Sequence, residues 1–177
     1  MNKSNNSYIL VIVSEKYLKH YIKNKKYLNK LALKLKAKLY IIKTKNFINF
    51  LDKIKIWKEF LSKFNGNELY YFDVDLVFNK KFLDKILLEK NCFIYEKYKK
   101  VQIVHGCFFK ITFKFEEFFL INLYSKIKKK FINKTISWPW FYHHPDEYFL
   151  LLIMKKINKN HKIKKIYYKK GQYYEIK

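Results

Sequence analysis

Arginine is absent from this sequence, and glycine, proline and cysteine are scarce. The chain of 177 residues has 39 basic residues, all lysine, with three glycines, two prolines and two cysteines. Because base-specific DNA reading relies on the bidentate guanidinium of arginine, the sequence argues against that function. The abundance of Ile, Asn, Tyr and Phe is typical of a genome favouring A/T-rich codons, so much of the formal charge of +25 follows from codon usage.

The two cysteines, Cys92 and Cys107, show neither metal-ligand spacing nor a disulfide framework. We expect them to be small buried residues in a reducing compartment. The apolar run Tyr8 to Val13 is too short for a signal-peptide core with its cleavage site, and too short for a membrane span. We therefore expect a cytoplasmic protein, and its lysines are compatible with peripheral contact at an anionic inner membrane face.

Apolar runs of strand length alternate with helical periodicity through the first part of the chain. The pattern predicts strands at Tyr8–Val13, Leu39–Ile42 and from Glu68. They are separated by a helical pattern from about Glu15, capped by Ser14, to Lys36, which Asn24 and the lysines around it interrupt, and by a helix Phe47–Phe64. Alternation of this kind indicates an α/β fold with a mostly parallel central sheet flanked by helices. By length and composition we expect a single compact domain over residues 1–177.

Shorter elements follow. The pattern predicts helices Asn79–Leu88, Phe115–Phe131 and about Tyr148–Ile157, with strands near Cys92–Tyr95, Val101–Val104 and Ile166–Tyr168. Glycine is rare here, so Gly106 is expected at a tight turn or a close approach to a ligand.

The stretch Glu68 to Phe78 ends a buried strand with two carboxylates, Asp73 and Asp75. Residues two apart in an extended segment point to the same side, so both carboxylates can reach one hard cation. Mg²⁺ and Mn²⁺ favour oxygen ligands and keep positions open for phosphates. The sequence therefore predicts a metal and diphosphate site at the strand end, where ligands of open α/β sheets collect. The alternative is a pair of carboxylates that caps the next helix.

A second informative stretch, Ser137 to Glu147, concentrates aromatic and titratable side chains before an apolar helix: Trp138, Trp140, His143, His144, Asp146 and Glu147. A loop of this composition, stiffened by proline, is typical of a binding surface. The alternative is that Asp146 caps the helix, the tryptophans cover the core and the histidines are exposed.

Three segments in order carry a family resemblance: KIKIWKEFLSKFNGNELYYFDVDLVFNKKF, VHGCFFKI and HHPDEYFLLLI. Over roughly residues 50 to 157 the chain resembles nucleotide-sugar-dependent glycosyltransferases of the GT-A fold, most closely the small galactosyltransferase-like group. The resemblance implies that Asp73 and Asp75 bind Mn²⁺ or Mg²⁺, and that Asp73 also contacts the donor.

The resemblance implies roles for further residues. The segment with His105, Gly106 and Phe108 lies beside the donor and the acceptor. Asp146 and Glu147 contact the acceptor or the reacting centre, with His144 beside them. Lys110 and Ile111 stand where the family has Gly and Thr. The aromatic faces of Trp138 and Trp140 suit the apolar faces of acceptor sugar rings or a lipid carrier.

The expected activity is metal-dependent transfer of a sugar from a nucleoside-diphosphate sugar to a hydroxyl of a glycan or lipid-linked acceptor. One alternative is a phosphatase of the haloacid dehalogenase type, because Phe72 to Val77 also resembles that family's first motif. A second alternative is a non-enzymatic basic module that binds nucleic acid or anionic membrane.

Overall fold

The computed structural model describes residues 7–45, 50–64, 68–98, 101–112, 115–133, 144–157, 163–167 and 173–175. The chain divides into two compact units. The first, here called the sheet unit, comprises Met1–Asn46, Gly66–Phe113 and Lys162–Lys177. The second, here called the helical unit, comprises Phe47–Asn65 and Lys114–His161. The predicted single domain over residues 1–177 stays a prediction.

The elements follow one another as β1 (Ser7–Ser14), α1 (Leu18–Leu35), β2 (Ala37–Thr44), α2 (Phe50–Lys63), β3 (Glu68–Asp73), β4 (Leu76–Phe78), α3 (Lys80–Leu88), β5 (Cys92–Tyr98), β6 (Val101–Ile111), α4 (Glu117–Ile132), α5 (Pro145–Ile157), β7 (Lys164–Tyr167) and β8 (Tyr173–Glu175). The predicted order of the first five elements is confirmed. So is the α/β class with a mostly parallel, mixed sheet.

The sheet unit is built on a six-stranded sheet of order β2-β1-β3-β6-β5-β7, and β4 pairs with β8 in a second, two-stranded sheet. Strand β1 is parallel to β2 and β3, and β5 is parallel to β7. Strand β6 is antiparallel to β3 and β5. Strand β3 therefore lies inside the sheet, between β1 and β6.

The core of the sheet unit explains why β1 and β3 are apolar along their length. Residues Ile9 to Val11 are 0% exposed, which requires apolar side chains on both sides of β1. Helices α1 and α3 bury Leu28, Leu31, Phe82, Leu83 and Ile86 in the same cluster as one side of these strands. Helix α3 begins where predicted, because the Asn79 side chain accepts a hydrogen bond from the Phe82 amide at 2.8 Å.

In the helical unit, α2, α4 and α5 pack on one another. The rings of Trp57 and Phe149 stack with their centroids 6.3 Å apart, and both side chains are 0% exposed. Ile54, Leu61, Leu120, Ile127 and Ile153 are buried with them. The spacing of the apolar residues in α2, which predicts one buried helical face, is confirmed by this packing.

Two local predictions are wrong, and a third is wrong in one of its two alternatives. Ser14 makes no side-chain cap, and a 3₁₀ turn, Glu15–Tyr17, precedes α1 at Leu18. Helix α5 begins at Pro145 instead of about Tyr148, which suits proline because the first helical turn needs no amide donor. Gly106 lies inside β6, so its predicted place in a tight turn is wrong, while the alternative of a close approach to a ligand stays a prediction.

Some predictions fall outside the described residues, among them the helix start at Phe47 and the residues Trp138, Trp140 and His143. Within the described ranges, no helix is long and apolar enough to cross a membrane. Cys92 and Cys107 are free and buried, as expected.

Candidate functional site

The turn between β3 and β4 carries both predicted metal ligands. Asp73 is the last residue of β3, Asp75 lies in the two-residue turn, and β4 starts at Leu76. Both aspartates are partly buried, whereas Val74 between them is 5% exposed. Because residues 74 and 75 form a turn, the strand alternation that predicted both carboxylates on one side does not extend to Asp75. The predicted strand-end placement of the two carboxylates is confirmed.

Asp73 is held from within its own strand. The Tyr71 hydroxyl donates a hydrogen bond to Asp73 Oδ1 at 2.5 Å. Tyr71 is 1% exposed, and its ring stacks on Phe109 with the centroids 5.2 Å apart and the planes 17° apart. Because packing fixes the Tyr71 ring, its hydroxyl restricts the orientation of the Asp73 carboxylate. The sequence suggested only an apolar, aromatic strand here, so this role of Tyr71 was missed.

Three aromatic rings support the same turn from the core. Phe72, Phe78 and Phe108 contact one another with centroid distances of 4.9, 5.5 and 5.8 Å. Phe108, predicted to lie beside the donor, is 0% exposed. Its ring therefore supports the residues on either side of the Asp73 turn from inside the core.

His105 and Gly106 run alongside the end of β3. Phe72 pairs with Phe108 in the antiparallel ladder, so residues that precede Phe108 lie beside residues that follow Phe72. Gly106 is buried and His105 is partly buried. The ladder thus brings the part of β6 that precedes Phe108 next to the end of β3 at Asp73. The ligand contacts that the resemblance implied for His105 and Gly106 stay a prediction.

Lys110, which stands where the glycosyltransferases that the sequence resembles have Gly, contacts the opposite end of β3. Its Nζ lies 3.4 Å from Glu68 Oε1, donates to the Leu87 carbonyl oxygen at 3.0 Å and sits 5.2 Å from the centroid of the Tyr70 ring. Lys110 is 4% exposed, and the Tyr70 hydroxyl donates to Glu68 Oε2 at 2.7 Å. Burial, followed by this bond, raises the pKa of Tyr70 well above its usual range. Lys110 therefore joins Glu68 and Tyr70 in a partly buried polar network.

The remaining predicted residues lie in the helical unit, at the start of α5. The His144 carbonyl oxygen accepts a hydrogen bond from the Glu147 amide at 3.2 Å. The His144 side chain is partly buried. Asp146 is 2% exposed and Glu147 is 6% exposed, so neither is the exposed cap of a surface helix. Both acids lie in the first turn, where the helix dipole favours negative charge.

Asp146 forms a buried ion pair that the sequence did not reveal. Lys53 Nζ of α2 lies 3.2 Å from Asp146 Oδ2, and the side chains are 6% and 2% exposed. The same ammonium lies 4.9 Å from the centroid of the Trp57 ring. Asp146 Oδ1 is buried and accepts no hydrogen bond from any residue that the structure describes. Lys53 thus neutralises Asp146 through one oxygen and leaves the second without a donor.

The described residues support neither a metal site built from three or more side chains nor a cysteine nucleophile. Among the described residues, no group of three or more His, Cys, Asp or Glu side chains is placed to hold a metal ion by itself. Burial raises the pKa of the Cys92 thiol to about 12, so Cys92 is no thiolate nucleophile at neutral pH. Two carboxylates from one turn fit a cation that takes its other ligands from phosphate and water.

The described fold is similar to solved glycosyltransferases. One is a glycosyltransferase involved in the glycosylation of the major capsid of PBCV-1, with a TM-score of 0.58 and 11% identity over 90% of this chain and 80% of that one. Another is the glycosyltransferase GlyE of Streptococcus pneumoniae TIGR4, with a TM-score of 0.50 and 11% identity over 93% of this chain and 46% of that one. This chain has a glycosyltransferase-like fold.

The sequence matches no known protein-family profile and, at a significant level, no functionally curated protein. At 11% identity, the similarity to solved structures establishes the fold and leaves the activity to be argued from the site.

Proposed function

We propose that this chain is a divalent-metal-dependent glycosyltransferase that uses a nucleoside-diphosphate sugar as donor and a hydroxyl of a glycan or lipid-linked molecule as acceptor. The observation that carries the proposal is the position of Asp73 and Asp75. They lie at the carboxyl end of an inner strand of a glycosyltransferase-like sheet, where ligands of open α/β folds bind. A cation site at this edge needs a buried strand that leads to it and a turn that is partly exposed to ligands. Strand β3 and the turn after it meet both requirements.

Asp73 and Asp75 would hold Mn²⁺ or Mg²⁺, and the bound ion would neutralise charge that develops on the leaving diphosphate. The donor set fits these ions, because carboxylate oxygens are hard ligands and two of them leave room for diphosphate oxygens and water. Tyr71 keeps the Asp73 carboxylate in place. His105 and Gly106 are proposed to contact the donor from the neighbouring strand.

In the net reaction the bond between the anomeric carbon and the diphosphate oxygen breaks, and its electron pair leaves with the nucleoside diphosphate. The acceptor oxygen forms the new bond to that carbon, and its proton passes to a carboxylate. We assign this base to Glu147 first and to Asp146 second, since Lys53 already neutralises Asp146. We also propose that His144, Trp138 and Trp140 contact the acceptor.

The test is a thermal-shift titration of the purified chain with uridine and guanosine diphosphates in the presence of Mn²⁺, Mg²⁺ or chelator. A ligand present at about a hundred times its Kd adds about 2.7 kcal/mol of stability, which raises the Tm of a chain this size by about 5–10 °C. We expect that shift only with metal. It should disappear in Asp75→Asn and persist in Asp84→Asn, which removes an exposed aspartate from α3.

A cooperative Tm unaffected by every nucleotide would contradict the proposal, and so would full metal-dependent binding by Asp75→Asn. Release of phosphate from an aryl phosphate, abolished in Asp73→Asn, would favour the phosphatase instead. Binding that weakens steeply with salt and ignores both aspartates would favour the basic module.

A further inference from the structure

Helix α1 carries a buried polar residue that helix formation does not explain. Asn24 is 1% exposed and lies in the same helix as the core residues Leu28 and Leu31. Asparagine is a weak helix former, and burying its amide is costly unless the amide forms hydrogen bonds. In the sequence Asn24 looked like an interruption of a lysine-rich helix.

The Asn24 amide bonds to the metal-binding turn. Its Nδ2 donates to the Val74 carbonyl oxygen at 2.9 Å and to the Leu76 carbonyl oxygen at 3.1 Å. These two carbonyl groups flank Asp75 in the chain. One buried side chain therefore holds the backbone on both sides of the residue predicted to bind the cation.

The chemistry of this position favours a primary amide. The NH₂ group supplies two donors without charge, matching two carbonyl acceptors. A carboxylate of the same shape would oppose both carbonyl oxygens, and an apolar side chain would leave two buried acceptors without donors. Asn24 Oδ1 accepts no hydrogen bond from the part of the chain that the structure describes, so the donor end makes the identified contacts.

A second residue of α1 holds the same segment further along. The Tyr27 hydroxyl accepts a hydrogen bond from the Phe78 amide at 3.3 Å. Residues 24 and 27 are three apart and lie on neighbouring positions of one helix face. Helix α1 thus contacts the backbone of residues 74–78 at three points, and Asp75 has little freedom to move.

We propose that Asn24 is a positioning residue of the cation site, which acts by fixing the backbone on both sides of Asp75. This inference rests on the proposed function and deepens it. Asn24 touches neither the cation nor the donor. Its effect is to keep the backbone around Asp75 in one conformation before the cation binds. The turn then loses little conformational entropy on binding, and the affinity for the cation is higher.

The test compares Asn24→Leu with Asn91→Leu. Asn91 is also buried, at 3% exposed, but its Oδ1 accepts hydrogen bonds from Thr112, just after β6, at the opposite end from His105 and Gly106. Both variants lose a buried amide of the same size, and only Asn24→Leu frees the turn. Asn24→Ser, which keeps one donor, is the second variant in case Asn24→Leu does not fold.

Two quantities are measured on each folded variant. The first is Mn²⁺ affinity from the electron paramagnetic resonance signal of free Mn²⁺, with and without uridine diphosphate. The second is amide hydrogen exchange of residues 74–78 by mass spectrometry without metal. We expect a Kd for Mn²⁺ raised about tenfold and faster exchange in Asn24→Leu, with wild-type values in Asn91→Leu, because outer-shell partners typically contribute 10–100-fold.

Equal Mn²⁺ affinities in the two variants, or unchanged exchange of residues 74–78 in Asn24→Leu, would overturn the positioning role alone. Wild-type protein without affinity for Mn²⁺ would overturn the proposed function, and with it the metal part of this inference. The exchange comparison would still decide whether Asn24 holds the turn.

Discussion

Two adjacent tyrosines of β3 act at opposite ends of the strand. Tyr70 donates to Glu68, two residues before it, and Tyr71 donates to Asp73, two residues beyond Tyr71. Successive strand residues point to opposite faces, so the two hydroxyls serve different surroundings. Tyr70 belongs to the partly buried network with Lys110, whereas Tyr71 belongs to the candidate cation site.

We predict that Tyr71→Phe weakens Mn²⁺ binding about tenfold while the protein remains folded, because Asp73 loses the hydroxyl that orients it. Isothermal titration with Mn²⁺ and uridine diphosphate measures the effect.

The matched control is Tyr70→Phe. It should keep wild-type affinity and lose about 0.5–1.5 kcal/mol of stability, since the partly exposed Glu68 carboxylate loses one hydrogen-bond donor. Equal Mn²⁺ affinity of Tyr71→Phe and wild type would show that Asp73 needs no such support.

For single residues, the sequence reveals the two carboxylates, Asp73 and Asp75, but not the side chains that hold them in place. Asp73 and Asp75 are recognisable because the strand pattern and the acidic pair are adjacent in the chain. Asn24 and the Val74 carbonyl lie 50 residues apart, and a contact over that distance leaves no local periodicity to detect.

Among the elements, α2 and α5 are joined by the buried pair Lys53–Asp146. Removing one partner of such a pair leaves an uncompensated charge, whereas the intact pair gains little over apolar side chains. The sequence pattern of α2 predicts its apolar face, but a lysine on that face looks like any other of the 39 lysines. Only the packing of α2 on α5 identifies its partner.

We predict that Lys53→Met destabilises the protein by about 3–5 kcal/mol, because the buried Asp146 carboxyl group loses its ion-pair partner. Addition of Asp146→Asn should recover most of that loss. Urea unfolding of the two variants gives both values.

The control for this prediction is Lys58→Met on the same helix. Lys58 Nζ lies 5.6 Å from the centroid of the Tyr124 ring, and the loss of that contact should cost at most about 1 kcal/mol. If Lys53→Met were no more harmful than Lys58→Met, the pair would not stabilise the helical unit.

Element boundaries show where local patterns mislead. The long strand β6 was predicted to end near Val104 because Gly106 resembled a turn residue, yet it continues to Ile111. Gly106 lies where the pairing of β6 with β5 shifts its register, between the pairs Phe93–Phe109 and Tyr95–Val104. A glycine inside a strand is typical of such an irregularity.

For the whole molecule, the formal charge of +25 is the dominant electrostatic property. Lysines lie along the entire sequence, and exposed ones on α1, such as Lys19, Lys23 and Lys30, accompany the exposed apolar residues Ile22 and Leu33. Such a surface attracts anionic lipid headgroups. The predicted contact with an anionic membrane remains a prediction.

We predict that the protein co-sediments with vesicles containing phosphatidylserine at low ionic strength and is released by about 0.5 M NaCl, where the Debye length falls to about 4 Å. Vesicles of phosphatidylcholine alone are the control and should retain little protein. Equal binding to both vesicle types, or binding unaffected by salt, would show that charge does not bring this protein to a membrane.

The sequence by itself determined the α/β class, the order of the early elements and the strand that ends in Asp73, because those features depend on periodicity over a few residues. Tertiary structure decided the antiparallel insertion of β6 beside β3, the ion pairs of Lys53 and Lys110, and the hydrogen bonds of Asn24 to the turn that carries Asp75. Each of these joins residues far apart in the chain. Their partners are chosen by packing and by the need to satisfy buried polar groups, and those requirements exist only once the chain is folded.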